Sequence, residues 1–175
     1  HHWIGTVLIP KVTLDRAEAF VQDYAQYGTR FAPLVQRARI VDRTGDRFDV
    51  AMRTWAKKVL TVVLDANYVV EYRRLDPSRL YTKSVATNIF QVDHAGEPKE
   101  TRTAADATNG FLWRLHTYCW FEERAEGTYE QCESISLTRD VPFGLGWMIK
   151  PFITGIPRET LEFTLTQVRR GLGGQ

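Results

Sequence analysis

Two cysteines and four histidines are all that this chain of 175 residues offers for disulfide bonding or for nitrogen and sulfur metal ligation. Neither a zinc framework nor a multi-bridge disulfide scaffold can be built from so few. Long apolar runs are missing as well. The longest, Val59 to Leu64, is interrupted by Thr61 and falls far short of the roughly 20 residues that span a bilayer. Charge of one sign is also lacking, because 23 basic and 21 acidic side chains leave only +2. That excludes a strong electrostatic case for nucleic acid or for an anionic membrane. The chain opens at His1-His2-Trp3 with no apolar signal core. No targeting signal is read, and the compartment stays open between the cytoplasm and an exported mature form.

Aromatic side chains are what the sequence has in quantity: five Trp, seven Tyr and nine Phe. A chain of this length can bury them in an apolar core without staples. No internal repeat, low-complexity stretch or linker divides it, so the expectation is a single domain over residues 1–175.

Periodicity gives the elements. Trp3 to Ile9 is rich in β-branched and aromatic residues and is stopped by Pro10, which reads as a strand. Thr13 suits an N-cap, and Ala17, Phe20, Val21 and Tyr24 then form one helical face that Gly28 ends. From Ala38 to Asp140 the period changes to two. The strands include Phe48 to Met52, Leu60 to Tyr72, Leu80 to Val92, and a hairpin of Phe111 to Glu123 with Thr128 to Asp140. Asp93 to Gly110 is polar and turn-rich and reads as a long loop. Pro157 suits the first position of a last helix, whose apolar face is Leu161, Leu165, Val168 and Leu172. Strands joined by short turns pair antiparallel. The fold class expected is therefore α+β, with one antiparallel sheet and helices at both ends of the strand run.

The last hairpin can be read further. Centred between Ala125 and Glu126, it opposes Cys119 to Cys132, Thr117 to Ser134 and Leu115 to Ser136, with Trp113 and Phe121 on the same face. Opposed Cα atoms lie within the range a disulfide tolerates. Two readings follow for Cys119 and Cys132: a cross-strand disulfide, or two buried thiols acting as small apolar side chains. The other face carries His116, Tyr118 and Trp120 against Glu133 and Gln131.

The order of elements resembles the START-like, helix-grip superfamily, also described as SRPBCC, which includes polyketide cyclase/dehydrase-like and birch-pollen-allergen-like proteins. The resemblance covers essentially the whole chain. It lies in Val7-Leu8-Ile9-Pro10, the helix Leu14 to Tyr24, the hairpin Phe111 to Asp140, and Gly144 to Phe152 leading into Ile156-Pro157-Arg158-Glu159. The last stretch is similar to uncharacterised bacterial members. The resemblance implies a curved antiparallel sheet of about seven strands wrapped around a long C-terminal helix, with a short helical pair after the first strand. It also implies an apolar cavity and a hydrophobic ligand such as a lipid, sterol, quinone or polyketide. No cofactor is expected.

Candidate lining residues follow from the elements placed on that fold. They are Phe20 and Tyr24 from the first helix, and Leu60, Val62, Leu64 and Tyr68 from the long strand. Trp113, Leu115, Thr117, Phe121 and Ser134 come from the hairpin, and Leu161, Leu165 and Val168 from the last helix. Trp147, Met148 and Phe152 read either as a gate that touches a membrane transiently during ligand exchange or as a plug of the core. His116, with Tyr118 and Glu133, is the candidate acid/base set for an alternative cyclase, dehydratase or hydrolase activity in the same cavity. A third reading makes the face of Tyr118 and Trp120 a protein-interaction surface. No metal-ligand spacing and no nucleophile elbow is present.

Overall fold

The computed structural model describes residues 1–57, 61–104, 112–138 and 146–173, with the side chains of 146–154 outside the description. Strand β1 is His2–Pro10, followed by helix α1 (Leu14–Gln22), a single 3-10 turn at Tyr24–Gln26 and helix α2 (Tyr27–Arg30). Seven strands follow: β2 (Val35–Thr44), β3 (Arg47–Lys57), β4 (Thr61–Asp76), β5 (Arg79–Asp93), β6 (Thr101–Ala104), β7 (Leu112–Arg124) and β8 (Gly127–Thr138). Helix α3 (Gly146–Gly173) closes the chain. The sheet runs β1-β8-β7-β5-β4-β3-β2, every pair antiparallel, with β6 added to β5.

Strand β1 leaves its neighbour in sequence to pair with β8, and so brings the two ends of the chain onto one edge of the sheet. The inner face of that edge holds Trp3, Gly5, Val7 and Ile9, and α3 crosses it closely. A Cβ on Gly5 would lie 2.7 Å from Leu165 Cδ1. On the other flank of α3, a Cβ on Gly171 would lie 2.5 Å from the Phe20 ring of α1. Two glycines thus set the distance between the long helix and the layers on either side of it. Gly127 matters for another reason. It opens β8 at φ 141, and a Cβ there would meet the Ile9 carbonyl at 2.2 Å.

The helical segment after β1 breaks sooner than the sequence predicts. Thr13 does cap α1, accepting from Arg16 N at 3.4 Å, and the Leu14 amide donates to Glu123 Oε2 of β7 at 2.6 Å. The chain leaves the helical region at Asp23, whose carboxylate takes Arg30 at 2.7 Å. Gly28 therefore lies inside α2 and not at a helix end. At the C-terminus the helix begins at Gly146, well before Pro157, and runs through the proline. The helix also contains Pro151. Neither proline has an N–H to give to the carbonyl four residues earlier, and the helix carries both lost bonds. The expected loop after β5 also contains a short strand, β6, which extends the β5 edge beyond the reach of β7.

Candidate functional site

Side chains on the inner face of the sheet point toward α3 and toward α1–α2, and between these layers lies a cavity of about 320 Å³. That is at the lower end of the roughly 300–1,000 Å³ typical of small-molecule sites. Its sheet wall is built by alternation. Val50 and Met52 come from β3, Tyr68, Val70 and Tyr72 from β4, Thr82 and Ser84 from β5. Strand β7 adds Leu115, Thr117, Cys119 and Phe121, and β8 adds Glu130, Cys132, Ser134 and Ser136. Helix α3 covers it with Ile156, Pro157, Thr160, Leu161, Thr164 and Val168. Small residues on β8 facing larger ones on β7 leave room where a uniformly bulky wall would fill it.

Strands β7 and β8 pair in the expected register, with Cys119 opposite Cys132, Thr117 opposite Ser134 and Leu115 opposite Ser136. The two cysteine sulfurs are bonded at 2.07 Å, and both residues line the cavity. Of the predicted lining, Tyr24, Val62, Leu64, Tyr68, Leu115, Thr117, Phe121, Ser134, Leu161 and Val168 stand on the cavity wall. Phe20 and Leu165 do not. Phe20 packs edge-on to Phe31 and against Gly171, and Leu165 packs on Gly5. Trp113 falls at a register shift between Leu112 and Arg114, which takes it off the wall. Leu60 lies outside the described residues, as do the side chains of Trp147, Met148 and Phe152.

His116, Tyr118 and Glu133 point the other way. They share the outer face with Val85, Lys83, Ile135 and His2 across the ladder. His116 Nδ1 lies 3.3 Å from the Tyr118 hydroxyl, and Glu133 lies 2.6 Å from His2 Nε2. A proton donor for this cavity has to be sought elsewhere than His116, since successive side chains on a strand face opposite sides.

The inner end of the cavity carries its polar chemistry. The Val21 carbonyl at the end of α1 accepts from the Tyr27 hydroxyl at 2.6 Å and from the Tyr72 hydroxyl at 3.0 Å. With that hydrogen committed, Tyr72 accepts from Tyr24, 2.7 Å away. Burial pushes the Tyr24 and Tyr68 hydroxyls up to about 12 and those of Tyr27 and Tyr72 well above their ordinary value. All four are neutral donors at physiological pH. An electrostatic interaction links Tyr27 to a buried acid, Glu130. It is 3% exposed, and desolvation raises its carboxyl to about 8. Its Oε2 and the Ser136 Oγ have no hydrogen-bond partner among the described residues. Its Oε1 lies 3.5 Å from Cys132 Sγ, which as a disulfide sulfur has no hydrogen to give.

Glu130 was not among the residues singled out from the sequence. The signal was there: Glu130 has the same parity on β8 as Cys132 and Ser134, so the register that paired the cysteines also turns it inward. Cys119, Glu130 and Cys132 also bring three ligand-type atoms within 4.8 Å of one another. The disulfide leaves the two sulfurs without thiolate character, so the set does not fit a metal as it stands.

A second charged cluster sits on the outer face. Arg53 grips Asp65 at 2.7 and 2.8 Å and reaches Glu100 at 2.8 Å. Glu100 also accepts from Gly96 N, and these contacts hold its carboxyl down at about 2. The cluster straps the segment after β5 to the back of the sheet and does not touch the cavity.

By sequence, the chain matches no family model and no curated protein. Solved structures do resemble it. A START superfamily protein from Mycobacterium smegmatis is 10% identical, with 98% of this chain and 97% of that chain covered at a TM-score of 0.63. The Zhui aromatase/cyclase from Streptomyces sp. R1128 is 13% identical, with 98% and 93% covered at 0.63. A STAR-related lipid transfer protein from Xanthomonas axonopodis is 14% identical, with 96% and 85% covered at 0.63. Identities this low speak to architecture alone. The eight-stranded antiparallel sheet, the helical pair after β1 and the long C-terminal helix make this a START-like, helix-grip fold.

Proposed function

We propose that the protein binds, and carries, a hydrophobic small molecule between the sheet and α3, and that residues 1–175 act as one ligand-binding unit. The observation that supports this most is the cavity of about 320 Å³, walled mainly by Val, Leu, Met and Tyr side chains with Ser and Thr hydroxyls among them. Such a wall holds a ligand by apolar burial, and a few hydroxyls fix its orientation. Two structurally similar proteins, a lipid transfer protein and an aromatase/cyclase, are compatible with an apolar guest. Catalysis with His116 as acid/base has less support, because His116 stands on the outer face.

Native mass spectrometry of the purified protein, paired with organic extraction, tests the proposal. A bound mass that disappears on extraction and reappears in the organic phase is the expected result. A protein that carries no such mass, and that takes up none from a lipid extract, would count against it.

A further inference from the structure

Glu130 offers the cavity something its apolar walls do not explain. Its carboxyl is buried, lines the cavity, and has one oxygen with no partner and the other beside a disulfide sulfur. A buried polar group left unmade is costly, by the full desolvation of that group. A ligand that supplies the missing partner recovers it.

The identity of the neighbours decides what that partner is. Tyr27 of α2 interacts electrostatically with Glu130, and its hydroxyl and that of Tyr72 donate to the Val21 carbonyl, with Tyr24 bonded to Tyr72. Arg30, the cation that acts on Tyr27, is already paired with Asp23. Phe121 and Cys119 face it from β7, Val7 opposes it on β1, and α3 presents Leu161 and Val168 to the cavity. No base or cation among these takes the proton from Glu130, and burial holds its carboxyl at about 8. At neutral pH it is therefore a neutral acid with one O–H to give. An orphan donor is tolerated less well than an under-satisfied acceptor.

Resting on the reading of the cavity as a ligand site, we infer that Glu130 donates a hydrogen bond to an uncharged oxygen acceptor, a carbonyl or a hydroxyl, on an otherwise apolar ligand. An anionic head such as a carboxylate is disfavoured there, since the apolar wall gives it no compensating charge.

A matched pair of probes tests this: 2-acetonaphthone, which carries one carbonyl, and 2-ethylnaphthalene, which has nearly the same shape and none. Both are titrated into the full chain and followed by quenching of its tryptophan fluorescence, to which Trp55 on the cavity wall contributes. The ketone is expected to bind the wild-type protein about tenfold more tightly at about pH 6.5. That preference should fall as pH rises through about 8, because a ketone cannot bond to the carboxylate. Glu130→Gln keeps a donor and should keep the preference, now flat with pH. Glu130→Leu should bind both probes equally. Equal affinity of the wild-type protein for both probes would overturn the role of Glu130 and leave the cavity reading intact. Binding of neither probe would overturn both. Should Glu130→Leu fail to fold, the pH profiles of the wild-type protein and Glu130→Gln still decide.

Discussion

Glu130 titrates between the two states of the chain. Its carboxyl moves from an ordinary value of 4.5 in the unfolded chain to about 8 in the folded one. Between these values the folded state holds a proton that the unfolded state has released. Stability is then fully present below the lower value and declines as pH rises toward the upper one. The slope for a single such group is up to about 1.4 kcal/mol per pH unit. Denaturant midpoints of the wild-type protein should fall from about pH 5 to about pH 8, and those of Glu130→Gln should fall markedly less. Arg53 makes a separate residue-scale prediction. Its guanidinium is the bidentate partner of buried Asp65. Arg53→Met should destabilise the fold by about 2–3 kcal/mol in urea unfolding, with Arg102 at 3.1 Å softening the loss. Probe binding should be unaffected, because the cluster lies on the outer face.

At the scale of elements, contact between α1 and α3 depends on the absence of a side chain. Gly171→Val would place a branched side chain where the Phe20 ring already sits. A loss of about 1–3 kcal/mol is expected from such overpacking. The double change with Phe20→Ala should recover part of it, as a double-mutant cycle would read. The hairpin of β7 and β8 carries the disulfide, which closes a loop with a sequence separation of 13. Reduction should lower stability by about 3 kcal/mol in the chain-entropy account, measured as a shift of the denaturant midpoint.

The elements also show what the sequence made readable. Hairpin register was legible because Arg124-Ala125-Glu126-Gly127 surrounds the turn and a one-residue slip would part the cysteines. The face of α3 from Leu161 onward was legible from its repeat. Its first turns were not, since Pro157 suits the first position of a helix and is disfavoured inside one, so it reads as a start where the helix in fact runs through it. Strand β6 was hidden because a four-residue polar segment, exposed throughout, has no alternation to detect. The end of α1 was misplaced because Asp23 breaks it by conformation and ion pairing, where the nearest glycine is Gly28. Trp113 was placed on the wall by strict alternation, and a bulge at that point undoes the count.

At the scale of the whole molecule, the abundant aromatic side chains divide between the cavity wall and the core. Tyr24, Tyr27, Phe31, Tyr68 and Tyr72 have their rings on the cavity wall, while Phe20 and Phe48 pack the core behind it. Antiparallel sheets twist, and small residues on β8, Cys132, Ser134 and Ser136, leave the space between the sheet and α3 unfilled. Much of the wall could be named before the structure because alternation and register assign faces. Its one buried acid was overlooked because charge on a strand is usually read as outward.

The most direct test of the account is titration of the neutral apolar fluorophore N-phenyl-1-naphthylamine into the wild-type protein and into Thr117→Phe. Thr117 is a small wall residue on β7, and a ring there occupies the void. The account predicts saturable binding of one probe per chain in the wild-type protein and its loss in Thr117→Phe, with the variant still folded by circular dichroism. Absent binding in the wild-type protein, or equal binding in both, would contradict it.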